Sequence, residues 1–342
     1  MSNINKVKNQ IHTDEYSLFN SDCMYVLPSL ESESIDLSVY SPPFAGLYNY
    51  SSSPNDFSNC SSVDEFLTQY EFLIKEISRV TKPGRITAVH CADIINSSTG
   101  KLWDFPNKII EIHERHGFVW RNRITIWKEP LKVRMRTMVR SLMHKLIVED
   151  STECFTAMPD QILVFKNRGE NKVPVTHEYG LNRYAGDTPI LQNILNSYNN
   201  ENGSNYSSAE LWDHLKKKYA GWRDPKTNKL SHYIWQRYAS AVWDDIRIDE
   251  VLKFKDSKED DDEKHVHPLQ LDVIDRIVEL YSNPNEVVLT PFMGVGSEVY
   301  SPVSMGRKAI GIELKESYFK QAVLNMKDVK YRFHEKLQTN LF

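Results

Sequence analysis

The sequence predicts a doubly wound α/β sheet, on three observations. Strand-like and helix-like stretches alternate along the chain, which is the rhythm of βα units. A double proline, Pro42-Pro43, closes one apolar strand, and a turn carrying Gly294 and Gly296 follows another. Both turns stand at the carboxyl ends of strands, where open α/β sheets hold their ligands.

The elements follow in order. Ile35-Asp36-Leu37-Ser38-Val39-Tyr40 is the first apolar strand, and Ser41-Pro42-Pro43-Phe44 must end it, because two prolines cannot continue a ladder. Residues 46–62 form a polar and aromatic loop, long for a compact domain. Val63-Asp64 opens a helix in which Phe66, Tyr70, Leu73 and Ile77 recur at helical spacing up to Val80, and Lys82-Pro83-Gly84 stops it. Arg85 to His90 reads as a strand, the stretch around Ile109 to His116 as a helix ended by Gly117, and Phe118 to Trp127 and Gln161 to Lys166 as two more strands. From Asn167 to Phe254 the rhythm breaks into a stretch rich in Asn, Ser, Tyr and Trp, which reads as an inserted module. Lys255 to Lys264 is a charge run of the kind that solvates a linker. Leu269 to Tyr281 is an amphipathic helix, Val287 to Leu289 a short buried strand, Pro291 to Gly296 a tight loop, Ala309 to Glu313 a strand and Ser317 to Met326 a final helix. The expected division is residues 1–166, an inserted region at 167–254, and residues 255–342.

With 342 residues, 40% of them hydrophobic and 26% charged, the chain is long enough for a sizeable core. Its 42 basic and 46 acidic residues give a net charge of -4, which excludes a generally polybasic coat and leaves room for a local basic groove. Cys23, Cys60, Cys91 and Cys154 are scattered without a C-x-x-C pair, against a zinc site or a disulfide framework, and read as small buried hydrophobes. The first residues lack an apolar signal segment, and no apolar run is long enough to span a membrane, so a cytoplasmic protein without a membrane partner is expected.

Two turns carry chemistry. In Thr290-Pro291-Phe292-Met293-Gly294-Val295-Gly296, glycines one residue apart let the backbone turn sharply and approach a ligand with no Cβ in the way. Glu313, at the end of the next strand, is placed to take both hydroxyls of a ribose. The third glycine of the dinucleotide fingerprint is missing, which favours a ligand without a pyrophosphate. Ser41-Pro42-Pro43-Phe44 supplies a side-chain acceptor, carbonyls without a helical partner and a flat apolar face. These parts can stack a planar ring and accept both hydrogens of an exocyclic amine. A packing turn and a bent strand end are the plain structural readings of the same two motifs.

Together the motifs resemble the amino-methyltransferases of DNA, which methylate N6 of adenine or N4 of cytosine with S-adenosylmethionine. Their catalytic (Asp/Asn/Ser)-Pro-Pro-(Tyr/Phe/Trp) is matched by Ser41, Pro42, Pro43 and Phe44, and their Asp-Pro-Phe-x-Gly-x-Gly cofactor loop by Thr290 to Gly296. Catalytic motif first and cofactor loop last is the permuted order of the beta class. Ser21-Asp22-Cys23 resembles the segment whose aspartate contacts the cofactor's adenine, and His267-Pro268-Leu269-Gln270 the turn before the helix that holds the methionine end. Arg79-Val80-Thr81-Lys82-Pro83-Gly84 resembles the helix end after the catalytic loop. The likeness covers residues 18–166 and 265–326, and the Leu47 to Tyr50 tract with the Gly-Ser-Glu298 end of the loop looks most like phage and prophage members. Thr290 departs from the family's usual acid, and Leu269 and Leu271 from its usual Thr and Lys.

The resemblance implies a Rossmann-like, mostly parallel sheet (the class I methyltransferase fold, circularly permuted) with an inserted target-recognition region. It implies S-adenosylmethionine as cofactor, held by Asp22, His267, Pro268, Gln270, Thr290, Pro291, Phe292, Gly294, Gly296 and Glu313. It implies double-stranded DNA as partner, is compatible with a homodimer, and points to a bacterial or phage-encoded enzyme. Among relatives Ser-Pro-Pro is commoner in N4-cytosine enzymes, so cytosine is the favoured base and adenine the alternative.

Two regions compete for the DNA. Lys128, Lys132, Arg134, Arg136, Arg140 and Lys145 form the densest basic stretch, suited to phosphates or, as the plain reading, to a solvated helix face. In the insert, Arg223, Gln236 and Arg237 are candidates to read base edges, whereas most of Trp212, Trp222, Trp235 and Trp243 are expected in the core of a small subdomain. An RNA methyltransferase and a catalytically idle DNA-binding protein of the same fold are the other two readings.

Overall fold

The computed structural model describes residues 7–43, 60, 62–95, 101–137, 140–178, 180–181, 183–207, 210, 214, 229–254, 268–327 and 329. In chain order the strands are β1 (Val7–His12), β2 (Tyr16–Ser21), β3 (Ile35–Tyr40), β4 (Thr81–Cys91), β5 (Ile94–Ile95), β6 (Leu102–Trp103), β7 (Phe118–Ile126), β8 (Asp160–Asn167), β9 (Val242–Trp243), β10 (Val287–Thr290) and β11 (Lys308–Glu313). The α-helices among the described residues are α1 (Cys23–Val26), α2 (Val63–Val80), α3 (Phe105–Arg115), α4 (Pro130–Thr137), α5 (Lys145–Glu149), α6 (Thr188–Asn202), α7 (Lys229–Tyr238), α8 (Leu271–Tyr281), α9 (Ser297–Ser304) and α10 (Glu316–Lys327).

Nine strands form one sheet in the order β1-β2-β11-β10-β3-β4-β8-β7-β9, and β5 with β6 makes a separate hairpin. The junctions from β2 through β4 and the outer β7–β9 pair are parallel, so the sheet is mostly parallel as predicted. Its centre is covered on both faces. Leu163 and Phe165 join α2 and α3 in one core, while their neighbours Ile162 and Val164 join α8 in the other. All six residues of β3 are buried, which is why that strand reads as a continuous run rather than an alternation. Asp36 locks the register at the amino ends: it accepts from Lys82 Nζ at 2.7 Å and from the Val287 N–H at 3.0 Å, 251 positions away.

Local chemistry explains the helices. Ser62 Oγ caps α2 by accepting the Glu65 N–H at 3.1 Å, and Phe66, Tyr70, Leu73, Ile74 and Ile77 bury one face. Asp104 caps α3, whose first turn holds Pro106.

Several elements depart from the sequence expectation. The β1–β2 hairpin was not anticipated, because its strands are short and half polar; β2 is drawn in by parallel pairing with β11. β4 starts at Thr81 rather than Arg85, and a bulge in its pairing with β3 accommodates Pro83 and Gly84, the latter at φ 72°. Helix α8 is not amphipathic in place: every residue from Leu271 to Glu279 is buried. Three of its charged side chains are met by arginine or aspartate from residues 183–247, as Arg183–Asp275 at 2.6 Å, Arg276–Asp245 at 2.9 Å and the Arg247–Asp272 pair. From the region read as an insert, Val242–Trp243 enters the main sheet as an edge strand beside β7.

Candidate active site

Strands β3 and β10 run parallel and adjacent, with Leu37 opposite Val288 and Ser38 opposite Leu289. Their carboxyl ends therefore emerge side by side. Ser41-Pro42-Pro43 leaves one and Pro291 to Gly296 leaves the other, and the rings of Tyr40 and Phe292 meet edge-to-face at 6.0 Å. Parallel pairing brings the ends of β11, at Glu313, and of β2, near Ser21 and Asp22, to the same rim.

The glycine loop is braced from below. Met293 N–H donates to the Ile312 carbonyl at 2.8 Å, and Gly294 N–H donates to Glu313 Oε2 at 2.8 Å. Glu313 Oε1 accepts the Lys315 N–H at 2.7 Å, so the acid predicted to hold a ribose also holds the loop. Asn20 Nδ2 ties the next strand in, donating to the carbonyls of Glu313 at 2.8 Å and Leu314 at 3.1 Å. Asp22 caps α1 by accepting the Met24 N–H at 2.8 Å, and burial raises its carboxyl above the usual range. Pro291 is buried, Phe292 and Pro268 are half-buried, and Gln270 is the N-cap of α8.

Gly296 starts α9 at φ 98°, where an added Cβ would lie 3.2 Å from Ala322 Cβ. Gly311 in β11 lets the loop sit down, since a Cβ there would meet Met293 Sδ at 2.4 Å. Gly311→Ala is expected to lose about 1–3 kcal/mol of stability by overpacking and to loosen the loop. Chemical denaturation together with S-adenosylhomocysteine titration checks it, and unchanged values in both would refute the bracing role.

Buried polar atoms near this rim test whether a cofactor fits. Thr290 Oγ1, Ser297 Oγ, Gln270 Oε1 and Asn20 Oδ1 are buried and lack a hydrogen-bond partner among the described residues. Buried polar groups are rarely left so. A ligand carrying an amino acid at one end and a nucleoside at the other supplies partners of the right chemistry along this rim.

On the other side of the corner, Ser41 belongs to a relay that the sequence reading missed. Ser41 Oγ is 3.1 Å from His90 Nδ1. His90 Nε2 is 3.2 Å from Asp160 Oδ2, an ion-pair separation off the linear hydrogen-bond direction. Lys128 Nζ donates to Asp160 Oδ1. Burial alone would raise the Asp160 carboxyl, but His90 and Lys128 outweigh it and hold it well below the usual range. The available signal was His90 at the end of its predicted strand, because β4 is the neighbour of β3 and must end on the same rim. Asp160 enters because β8 runs antiparallel to β4 and starts where β4 ends. Beneath the corner, Tyr40 Oη stands 3.4 Å from both Tyr70 Oη and His113 Nε2, and burial pushes the His113 imidazole down to about 3, so it stays neutral.

The predicted DNA contacts fare unevenly. Lys128 is turned inward to Asp160 with a side chain 16% exposed, which removes it from the free surface cations. Lys132 is exposed at the start of α4, 4.0 Å from Asp249. Arg134 is half-buried, and Lys145 stands exposed beside Glu149 at 3.7 Å. The backbones of Arg136 and Arg140 lie in α4 and in a short 3-10 turn. Gln236 is exposed on α7, whereas Arg237 on the same helix pairs with Asp244 and Asp245. Trp243 is fully buried and Trp235 is 55% exposed. Phe44, Arg223, His267, Trp212 and Trp222 lie outside the described residues. No disulfide joins the four cysteines, and Cys23 and Cys91 are buried. No described helix is long and apolar enough to cross a membrane.

A glycine loop and a serine-diproline corner thus stand on neighbouring strand ends of an open α/β sheet, where such sheets hold their ligands. Comparison with known proteins names the group. Residues 35–324 match a family described as DNA methylase, comprising N6- and N4-methyltransferases. The type II methyltransferase M.BglII of Bacillus subtilis is 25% identical over 303 residues, spanning 88% of this chain and 66% of its own length. M1.MboII of Moraxella bovis is 24% identical over 315 residues, spanning 90% of this chain and 96% of its own. The solved PvuII DNA methyltransferase, cytosine-N4-specific, superposes with a TM-score of 0.54 at 12% identity over 98% of this chain and 95% of that one, a likeness of fold. The chain belongs to the N6/N4 DNA methylase family.

Proposed function

We propose that the protein methylates an exocyclic amine of a base in double-stranded DNA, N4 of cytosine in preference to N6 of adenine, with S-adenosylmethionine as donor. One observation carries the reading: the parallel β3–β10 pairing that sets the serine-diproline corner beside the glycine loop. The cofactor supplies an electrophilic methyl on a sulfonium sulfur. Residues along the rim, from Asp22 and Glu313 to Gln270, are assigned to hold it.

The chain's own groups prepare the amine. Its lone pair is conjugated with the ring, so it is a poor nucleophile until both N–H bonds are engaged. His90 is assigned to accept the Ser41 O–H at Nδ1, 3.1 Å away, while its Nε2 faces the Asp160 carboxylate at 3.2 Å. The lone pairs of Ser41 Oγ then face the amine, and the Pro42 carbonyl takes the second N–H. After transfer the nitrogen carries a surplus proton, which Ser41 passes to His90 as its own hydroxyl proton moves to Nδ1. Orientation of this kind can be worth on the order of 7–11 kcal/mol. The base reaches the corner by leaving the duplex at a cost of a few kcal/mol, and Phe44 is assigned the stacking face. Cytosine is preferred because Ser-Pro-Pro, the turn at Ser41 to Pro43, is commoner among relatives that act on N4 of cytosine.

The test is incubation with tritiated S-adenosylmethionine and unmethylated DNA, followed by digestion to nucleosides and mass spectrometry. N4-methylcytosine is expected. N6-methyladenine would redirect the base assignment, and label in RNA but not DNA would refute the substrate class. Asp160→Asn should slow single-turnover transfer by about 100-fold with S-adenosylhomocysteine affinity unchanged, because the imidazole loses the negative charge that faces it. A normal rate in that variant would remove His90 from the reaction.

A further inference from the structure

The cofactor loop carries an acid in an unusual place. β10 ends on Thr290, which is fully buried and brings no charge. Glu298 is the second residue of α9, only 5% exposed, and among the described residues its carboxyl meets no cation. Its hydrogen bond is to its own backbone N–H, and the charge facing it is that of Glu313 from β11. The neighbouring acid on α8, Asp275, is taken up by Ser301 and Arg183. Burial pushes the Glu298 carboxyl up to about 8, and Glu313 acts in the same direction. A buried acid without a cation is costly unless a partner arrives from outside the chain.

Two further observations point to a ligand at this spot. Ser297 Oγ and Thr290 Oγ1, on either side of the loop, are buried and have no hydrogen-bond partner among the described residues, and the same holds for Gln270 Oε1 at the head of α8. Both Glu313 oxygens are already engaged by the Gly294 and Lys315 N–H groups, whereas Glu298, beside the loop, meets no cation among the described residues.

We propose that Glu298 receives the α-ammonium of the cofactor's methionine end, doing from the first turn of α9 what an acid at position 290 would do from the strand end. The proposal rests on the cofactor assignment above. It makes binding proton-coupled. Near pH 6.5 the free carboxyl is protonated, an ammonium favours its ionised form, and the ligand therefore expels a proton; affinity rises as pH climbs toward 8.

Calorimetric titration of the full chain with S-adenosylhomocysteine and with 5′-methylthioadenosine, which lacks the amino acid, separates the possibilities. Glu298→Gln should weaken the first about 10- to 100-fold and the second less than about 2-fold. Adding Thr290→Asp to that variant should restore part of the loss. At pH 6.5, buffers of different ionisation heat should report proton release by the wild type with S-adenosylhomocysteine and none with 5′-methylthioadenosine. Equal weakening of both ligands, which a structural role predicts, or undiminished S-adenosylhomocysteine binding, overturns the proposal. A wild-type chain that binds neither nucleoside instead overturns the cofactor assignment and this inference with it.

Discussion

Ser41→Ala should lower methyl transfer by about 10²–10⁴-fold while S-adenosylhomocysteine binds almost as before. The separation follows from geometry. Ser41 stands on the β3 side of the rim and faces His90 at 3.1 Å, whereas the glycine loop is held by Glu313 and Ile312 from β11. Removing Oγ takes away an acceptor for the amine and breaks the proton's route to the imidazole, yet leaves every hydrogen bond of the loop in place. Combined with Asp160→Asn, the loss should be far less than the product of the single losses, because both residues serve one relay. Single-turnover rates and ligand titration on the three variants decide the matter. Multiplicative losses would mean that His90 and Asp160 act elsewhere, and lost ligand binding in Ser41→Ala would misplace the corner.

Arg276→Ala should lower unfolding stability by about 3–5 kcal/mol. Arg276 is fully buried on α8. Its guanidinium lies 2.9 Å from Asp245 Oδ2, donates from Nε to the Ala185 carbonyl at 2.7 Å, and stacks within 4.8–5.6 Å of the rings of Tyr238, Trp243 and Tyr184. Burial would raise the Asp245 carboxyl, but Arg276 together with Tyr184 and Arg237 holds it below its usual range. Deleting the cation leaves a buried carboxylate short of its main partner and empties a cage of three rings. Pairing Arg276→Met with Asp245→Asn should recover part of the loss, as neither charge is then stranded. Denaturation midpoints at equal slope test this, and a single-variant loss under 1 kcal/mol would show that the cluster contributes little. Because Gln270 stands at the N-cap position of this same helix, a loosened α8 should also weaken cofactor binding.

The site was legible where its chemistry is local. Ser41-Pro42-Pro43 and the Pro291 to Gly296 turn announce themselves by proline and glycine constraints that act over a few residues, and the apolar run of β3 by burial on both faces. His90 and Asp160 were not, since neither carries a local signature; they reach Ser41 only because β4 lies beside β3 and β8 returns antiparallel to β4. Lys128 shows the same limit. In sequence it heads a basic stretch that suits phosphates, and in the fold it turns to Asp160. Helix α8 looked half-exposed because its apolar stripe is regular, but its polar face is covered by arginine and aspartate partners supplied from residues 183–247.

By itself the sequence determined the types of the elements that flank the two turns, the turns assigned the chemistry and the family to which they point, because backbone restriction and hydrophobic period are properties of neighbouring residues. The tertiary structure alone decided which strand ends share a rim, which histidine and aspartate stand behind Ser41, and that Glu298 is buried with no cation beside it among the described residues. Those are outcomes of strand order and packing across some 250 positions, where no local pattern fixes who meets whom.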